Sequence, residues 1–363
     1  MGAKRTLVAG FVGVACLLAA CGDDEKSAVT TGATQSSSAS TAAAATPGMK
    51  TEYPITVTDC GGHTSTFTEA PKRTVTLDPQ AYELMFWLGL GEQQLAAGPQ
   101  PLPAVPEQFQ EATTRVEVIS EDENDGHSEY ISKETLLAAK PDFVYGSYAS
   151  AFTPPAVYSE AELGDKGINV YYSLGIGGCV GDDAAVPRTN LDSIFADIEN
   201  LGKIFDVQDT AAALTETMKA DLAAAVATAG EGAGAKVTAL GTDDTMAGTP
   251  SYWGGSSTVN AIISLAGGVN VFADMPEAYG ATTLEEIIAR SPEVIMLIAY
   301  PADLPAGWDD LEAYLLSQPA LAEVPAIKNK RFVRVTFPEV GAGGVRNVDG
   351  VMKLAEVLSQ LGS

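Results

Sequence analysis

The sequence predicts an α/β protein built from two similar halves joined by one long helix. Three observations carry that prediction. The first is an internal repeat. Glu134, Leu136, Leu137 and Ala138 precede Lys140, Pro141, Asp142, Phe143 and Val144, and the pattern returns as Glu285, Ile287, Ile288 and Ala289 before Ser291, Pro292, Glu293, Val294 and Ile295, each residue 151 positions after its counterpart. Each copy describes a short helix opened by Glu, stopped by Pro and followed by a buried strand. The second is the alternation of strand-like and helix-like segments along the body, which implies a parallel sheet with covering helices. The third is the stretch Asp209–Ala229. Leu214, Met218, Leu222 and Val226 recur there every fourth residue and put an apolar stripe on a helix. Asp209 is placed to cap its start, and the Gly-rich run from Gly230 to Gly234 ends it. At ~1.5 Å per residue such a helix is about 30 Å long. Lying between the two copies, it reads as a strut.

Taken in order, the body begins with a hairpin from Ile55 to Phe67, turning at Gly61-Gly62. A strand from Arg73 to Leu77 reaches Asp78-Pro79, and a helix from Gln80 to Gly89 carries Tyr82, Leu84, Met85, Phe86 and Leu88. Leu95 to Gly98 is a strand that breaks into Pro99, Pro101 and Pro103. The acidic loop Glu121–Glu129 leads to the first repeat copy and then to Tyr145–Tyr148. Asn169–Ser173 is a strand running into the glycines before Cys179, and Leu191–Phe205 is a helix, broken ahead of the strut at Asp206. Beyond the strut, Lys236–Gly241 is a strand followed by a polar loop to Tyr252-Trp253. A helix from Ser256 to Ala266 ends at Gly267-Gly268, and Asp274–Thr283 is a loop into the second copy. Tyr300-Pro301 leaves the strand Val294–Ala299; Trp308–Ser317 is helical, Arg331–Phe337 is the last strand and Gly343–Leu361 the closing helix.

The chain has 363 residues, room for two domains with substantial cores. Twenty-one basic against 47 acidic residues leave a net charge of −26, which argues against a nucleic-acid partner. At the N-terminus, Lys4 and Arg5 precede an apolar run from Leu7 to Ala20, too short for a mature membrane span, which closes with Leu18, Ala19, Ala20 and Cys21. This segment resembles a bacterial lipoprotein signal peptide. The resemblance implies that residues 1–20 are removed and that Cys21, acylated through its thiol, anchors the chain to the extracytoplasmic face of the cell membrane, where two or more acyl chains, palmitate among them, hold stably. The other reading is an ordinary secretory signal with an incidental Cys. From residue 21 to 50 the chain is Ser, Thr, Ala, Asp and Gly with almost no large apolar side chain, a composition suited to a tether. The predicted domains are therefore a first α/β lobe over 51–208, the connecting helix over 209–232 and a second lobe over 233–363. With Cys16 removed and Cys21 lipidated, Cys60 and Cys179 remain, and two leftover cysteines of an exported protein are more often bridged than free.

In parallel α/β sheets, ligands bind outside the carboxyl ends of the strands. Those ends fall at Asp78–Gln80, Pro99–Leu102, Ser147-Tyr148, Asp243–Trp253, Tyr300 and Phe337–Val340. Many of these residues are aromatic or amide and few are charged, which suits a sizeable polar and planar ligand held between two halves. The candidate contacts are Gln80, Tyr82, Gln100, Tyr148, Tyr252, Trp253, Tyr279, Tyr300 and Arg346.

The ordered segments TLDPQAYELMFWLGLG, KETLLAAKPDFVYG, NLDSIFADIENLGKIFDV, EEIIARSPEVIML and PAIKNKRFVRV resemble those of the solute-binding proteins of ABC importers for iron–siderophore complexes, haem and cobalamin. The likeness runs from about Ile55 onward. It implies two Rossmann-like lobes bridged by a single long helix, the class III periplasmic-binding-protein fold, with the ligand in the cleft, a monomer, no resident cofactor, and an ABC permease with its ATPase as partners. In that family one acidic residue on each lobe docks with arginines of the permease; the matching motifs put these at Glu134 and Glu285. A Glu in a first helical turn is also favourable with the helix dipole alone. The sequence departs from the pattern at Lys330, where Gly is common, and in lacking an arginine cluster at the cleft, where only Arg346 and Arg188 are available. A ferric siderophore that is neutral or weakly charged, such as a hydroxamate chelate, or a corrinoid then fits better than a trianionic catecholate complex.

Other functions are less well supplied. Bare-metal capture needs several His with carboxylates, and only His63 and His127 exist, the latter in the acidic loop. Haem through a Tyr ligand stays open. The glycine-rich stretches match neither a dinucleotide nor a phosphate-loop pattern, and Ser256-Ser257 lacks the nucleophile elbow, so no enzyme is indicated. An envelope adhesin explains the lipid and tether but not the aromatic strand ends.

Overall fold

The computed structural model describes residues 48–97, 105–119, 131–153, 158–175, 179, 186–229, 234–242, 250–300, 306–341 and 343–361. The signal segment, Cys21, the tether up to residue 47, Gln100 and His127 lie outside them.

Strands β1 (Ile55–Thr58) and β2 (Thr64–Phe67) form an antiparallel hairpin. Alternation explains it: Val57, Ser65 and Phe67 turn inward, while Thr56 faces Thr66 and Thr58 faces Thr64 on the exposed side, each hydroxyl pair 3.2 Å apart. The chain then builds β3 (Thr74–Thr76), α1 (Pro79–Trp87), β4 (Gln94–Ala97), α2 (Gln110–Thr113), β5 (Glu117–Val118), α3 (Lys133–Ala138), β6 (Phe143–Gly146), α4 (Glu160–Gly164), β7 (Asn169–Tyr172) and α5 (Asp192–Ile204). The five strands from β3 to β7 make one parallel sheet in the order β5-β4-β3-β6-β7. Helix α6 (Gln208–Ala229) follows.

The second lobe contains β8 (Lys236–Thr242), β9 (Pro250–Trp253), α7 (Thr258–Leu265), β10 (Val269–Asn270), β11 (Tyr279–Ala281), α8 (Leu284–Arg290) and β12 (Val294–Ala299). It closes with α9 (Ala306–Ser317), α10 (Pro325–Lys328), β13 (Phe332–Thr336), α11 (Phe337–Val340) and α12 (Asn347–Ser359). Its sheet runs β11-β9-β8-β12-β13, with β10 beside the start of β8. Here the sequence prediction of a wholly parallel sheet needs correcting. β9 pairs antiparallel with β8, and β11 antiparallel with β9, inside stretches read as loops. These two strands are only four and three residues long, too short to show a period in a polar context.

The repeat is legible atom by atom. Ser132 and Thr283 cap α3 and α8, each side chain accepting the N–H three residues on. Leu136 and Ile287 are both fully buried. Lys140 and Ser291 both take a left-handed conformation, φ 51° and 50°, and each is followed by its proline. Asp142 then accepts the N–H of Arg73 at 2.9 Å, and Glu293 that of Lys236 at 2.9 Å. In both lobes the acid after the proline thus fastens the entry to the neighbouring central strand.

Helix α6 differs from its prediction in two details. Asp209 does not cap it but lies in its first turn, where its carboxylate accepts the Met49 N–H at 3.1 Å. The inward face is Ala211, Met218, Leu222 and Ala225, whereas Val226 is exposed. A four-residue step advances 40° beyond a full helical turn, so a stripe drawn at that spacing leaves the buried face within three steps. α6 packs against α5 of the first lobe and α12 of the second. Lys330 also has a left-handed φ of 52°, which accounts for the glycine usual at that place. Cys60 and Cys179 are joined by a disulfide across 119 residues.

Candidate functional site

Four of the candidate aromatics converge on one pocket of about 330 Å³. Tyr148 follows β6; Trp253 ends β9; Tyr279 opens β11; Tyr300 follows β12. Phe337, the residue after β13, is the fifth ring of the lining, and Ser257, Thr258, Ala278 and Gly341 complete it. Three of these rings, Tyr148, Tyr300 and Phe337, stand just beyond carboxyl ends of parallel strands, where a ligand is expected in such sheets. Grooves of about 490 and 640 Å³ also exist, along α5–α6 and α6–α12. Helix flanks and Met49 line them, with charged side chains such as Glu199, Lys219 and Glu356, and Phe195 is the one aromatic ring among the described lining residues.

The rings support one another. Tyr279 lies directly across the ladder from Trp253, their ring centres 4.9 Å apart. Trp253 reaches Phe337 at 6.0 Å, and Phe337 stacks on Tyr300 at 4.9 Å with planes 25° apart. The result is a continuous wall on the second lobe, faced by Tyr148 of the first. Gly341 is required beside it, because a Cβ there would sit 2.2 Å from the Phe337 ring.

Polar groups hold this frame in place. Asp78 caps α1 through the N–H groups of Gln80 and Ala81 and also accepts the Ser147 N–H at 2.5 Å, fixing the turn that presents Tyr148. Burial pushes the Asp78 carboxyl up, and those backbone donors pull against it. On the other side the Trp253 carbonyl accepts from Asn270 at 2.9 Å. Asn270 also donates to Asn260 at 3.1 Å, and Asn260 to the Arg188 carbonyl at 2.7 Å. Arg188 comes from the first lobe and bonds the hydroxyl of Thr258 at 3.2 Å. Asp197 accepts from Tyr171, Leu174 and Gly175, and burial raises its carboxyl to about 6.

Other candidates fall elsewhere. Tyr82 is on the opposite side of α1, 1% exposed and edge-on to Phe86 at 5.0 Å, so it is packing and not pocket. Tyr252 neighbours Trp253 on a strand and therefore points to the other face, stacked on Phe272 at 5.0 Å. Gln80 and Arg346 line a separate small cavity at the α1–α12 contact, with Glu83, Trp87 and Pro338. Arg346 Nη2 is 2.5 Å from Glu83 Oε2. Glu134 and Glu285 are exposed in the first turns of α3 and α8. Thr258 and Gly341 carried no sequence signal, whereas Phe337 sits at a strand end and was marked by that position alone. Among the described residues no group of three or more His, Cys, Asp or Glu could hold a metal ion.

Comparison with known proteins agrees with this fold. The crystal structure of an ABC-type Fe3+-hydroxamate transport system from Saccharomonospora viridis superposes with a TM-score of 0.70 at 24% identity, covering 84% of this chain and 99% of that one. A periplasmic binding protein from Veillonella parvula gives 0.71 at 22% identity, with 85% and 98% covered. The periplasmic vitamin B12 binding protein of Vibrio cholerae gives 0.56 at 20% identity, with 80% and 98% covered. No relative emerges among curated proteins. The family model described as periplasmic binding protein matches residues 87–338, well over half of the sequence, and the chain belongs to that family.

Proposed function

We propose that the protein captures a metal chelate, most simply a neutral ferric hydroxamate, in the aromatic pocket and delivers it to an ABC permease. The observation that carries this reading is the lining itself: among the described residues it holds five aromatic rings, three of them tyrosines, two aliphatic hydroxyl residues and no charged side chain. Such a surface gives large contact area and hydroxyl hydrogen bonds to a neutral oxygen-rich chelate, and sets against a trianion no cation in its described lining, Arg188 standing behind Thr258. Quenching of Trp253 fluorescence by a panel of ferric chelates tests it. Tight binding of ferric enterobactin with none of a ferrioxamine would overturn the preference.

Haem is the second reading, favoured by Tyr148 and Tyr300 in the pocket, since a tyrosinate can ligate haem iron. A Soret band on haem titration, lost in Tyr148→Phe or Tyr300→Phe, would promote it above the chelate.

The transport role extends the proposal to three further features. Lipid on Cys21 would keep the protein at the outer face of the membrane. Helix α6, packed on α5 and α12, would hold the lobes at fixed spacing. Glu134 and Glu285, exposed at matched helix starts, would dock with the permease. Glu134→Ala with Glu285→Ala should keep chelate affinity and lower uptake in cells; unchanged uptake would remove the docking role.

A further inference from the structure

The pair formed by Glu83 and Arg346 joins α1 of the first lobe to the start of α12 in the second. Both side chains are nearly inaccessible, 9% and 11% exposed, with Oε2 and Nη2 2.5 Å apart. Trp87 donates its indole N–H to the other Glu83 oxygen at 3.0 Å, which fixes the carboxylate plane. Gln80 stands beside them with its buried carbonyl oxygen lacking a protein partner. The cavity they share is also lined by Pro338, the residue immediately after Phe337 of the aromatic wall.

A cation placed there without a counter-charge would raise the potential across a pocket whose lining, among the described residues, is uncharged, and low-dielectric walls would carry that field. With a carboxylate at 2.5 Å the two charges reduce to a short dipole, whose field falls off steeply. Reaching Arg346 with an anionic ligand group would require breaking a buried ion pair and leaving Glu83 uncompensated. We propose that Glu83 is a specificity-determining residue: by cancelling Arg346 it restricts the pocket to neutral and weakly charged ligands. The inference rests on the chelate-binding reading above and assigns the Arg346 share of its charge preference to one carboxylate; Arg188, behind Thr258, is the second cation near the pocket.

Glu83→Gln is the informative change, because Gln keeps the size and the acceptor for Trp87 while removing the charge. Arg346 would not be left wholly without a counter-charge, since Asp349 on α12 also interacts with it. Fluorescence titrations of the full chain would compare ferrichrome, a neutral trihydroxamate, with ferric enterobactin, a trianion. Glu83→Gln should shift the ratio of the two affinities at least tenfold toward enterobactin. Glu83→Gln combined with Arg346→Gln removes both charges and should return the ratio to the parental value. A ratio unchanged in the single variant, or equally shifted in the double one, overturns the proposal, and thermal melts of both variants exclude a general loss of fold. Tyr300→Ala in the parental chain separates the two levels: if it leaves ferrichrome binding intact, the pocket reading falls, and the role of Glu83 falls with it.

Discussion

Removing the Tyr300 ring should weaken ligand binding while leaving the fold nearly untouched. Tyr300 is 37% exposed and stacked on Phe337 over one face. A tyrosine presents roughly 200 Å² in all, so the ligand has about 75 Å² of it left to cover. At ~25 cal/mol per Å² that contact amounts to about 2 kcal/mol, or ~30-fold in affinity. The stack on Phe337 accounts for about 0.5–1.5 kcal/mol of the stability loss. Tyr82 and Tyr252 provide the contrast, since both are buried against other rings away from the pocket. Their replacement by Ala should cost about 3–5 kcal/mol of stability, as for other large core aromatics, with unchanged affinity in the protein that remains folded. Fluorescence titration and chemical denaturation, run on all three variants, separate the outcomes. The reasoning fails if Tyr300→Ala binds like the parent, or if Tyr82→Ala weakens binding without destabilising.

Three more outcomes follow from the same geometry. Burial and the neighbouring Asp59 push the Glu160 carboxyl up to about 8 from its usual 4.5, so its favourable contribution is present below pH 4.5 and is lost as pH rises through 8. Glu160→Gln should therefore gain stability over the parent at pH 9 but not at pH 4, by ~1–2 kcal/mol once solvent screening of this half-buried group is allowed for; melting curves at the two pH values check it. Asn270→Ala should leave the Trp253 carbonyl and Asn260 Oδ1 without their donor, at about 1–3 kcal/mol for each group that stays dry, and should lower chelate affinity through a displaced Trp253. Ala223→Pro, on the exposed face of α6, removes a helical hydrogen bond and should cost about 3 kcal/mol or more in denaturation and weaken ligand binding; intact binding would end the strut proposal.

What could be read from the chain was set by signal length. α6 and α5 are 22 and 13 residues long and carry enough periodic positions to declare themselves. The repeat was readable because Pro141 and Pro292 punctuate it at fixed offsets, and the left-handed residues before them show why the stop is sharp. β9 and β11 were missed because four and three residues give no period, and their pairing is decided by β8 and by the Trp253–Tyr279 contact across the ladder. At the site, residues leaving strand ends were recoverable: Tyr300 and Phe337 follow strands directly and Tyr148 stands two residues past β6. Residue type alone misled at Tyr82 and Tyr252, because an aromatic side chain near a cleft fills core as readily as it meets ligand. Only the face of α1 and the parity of β9 separate the two roles, and neither is fixed until partners are known.

The two lobes share their scaffold but not their share of the pocket. Matched residues do matched structural work: Ser132 and Thr283 cap, Leu136 and Ile287 fill, Asp142 and Glu293 fasten the next strand. Among the described residues of the pocket lining, the first lobe supplies Tyr148 and the second supplies four of the five rings. The asymmetry has a structural source, because β9 and β11 provide Trp253 and Tyr279 and, among the described residues, have no counterpart in the first sheet, whose five strands are all parallel. The antiparallel edge is thus what turns a duplicated framework into a one-sided aromatic wall. Ligand affinity should accordingly be far more sensitive to substitutions on the second lobe than to their first-lobe counterparts, whereas stability should respond alike to Leu136→Ala and Ile287→Ala, both fully buried at equivalent positions.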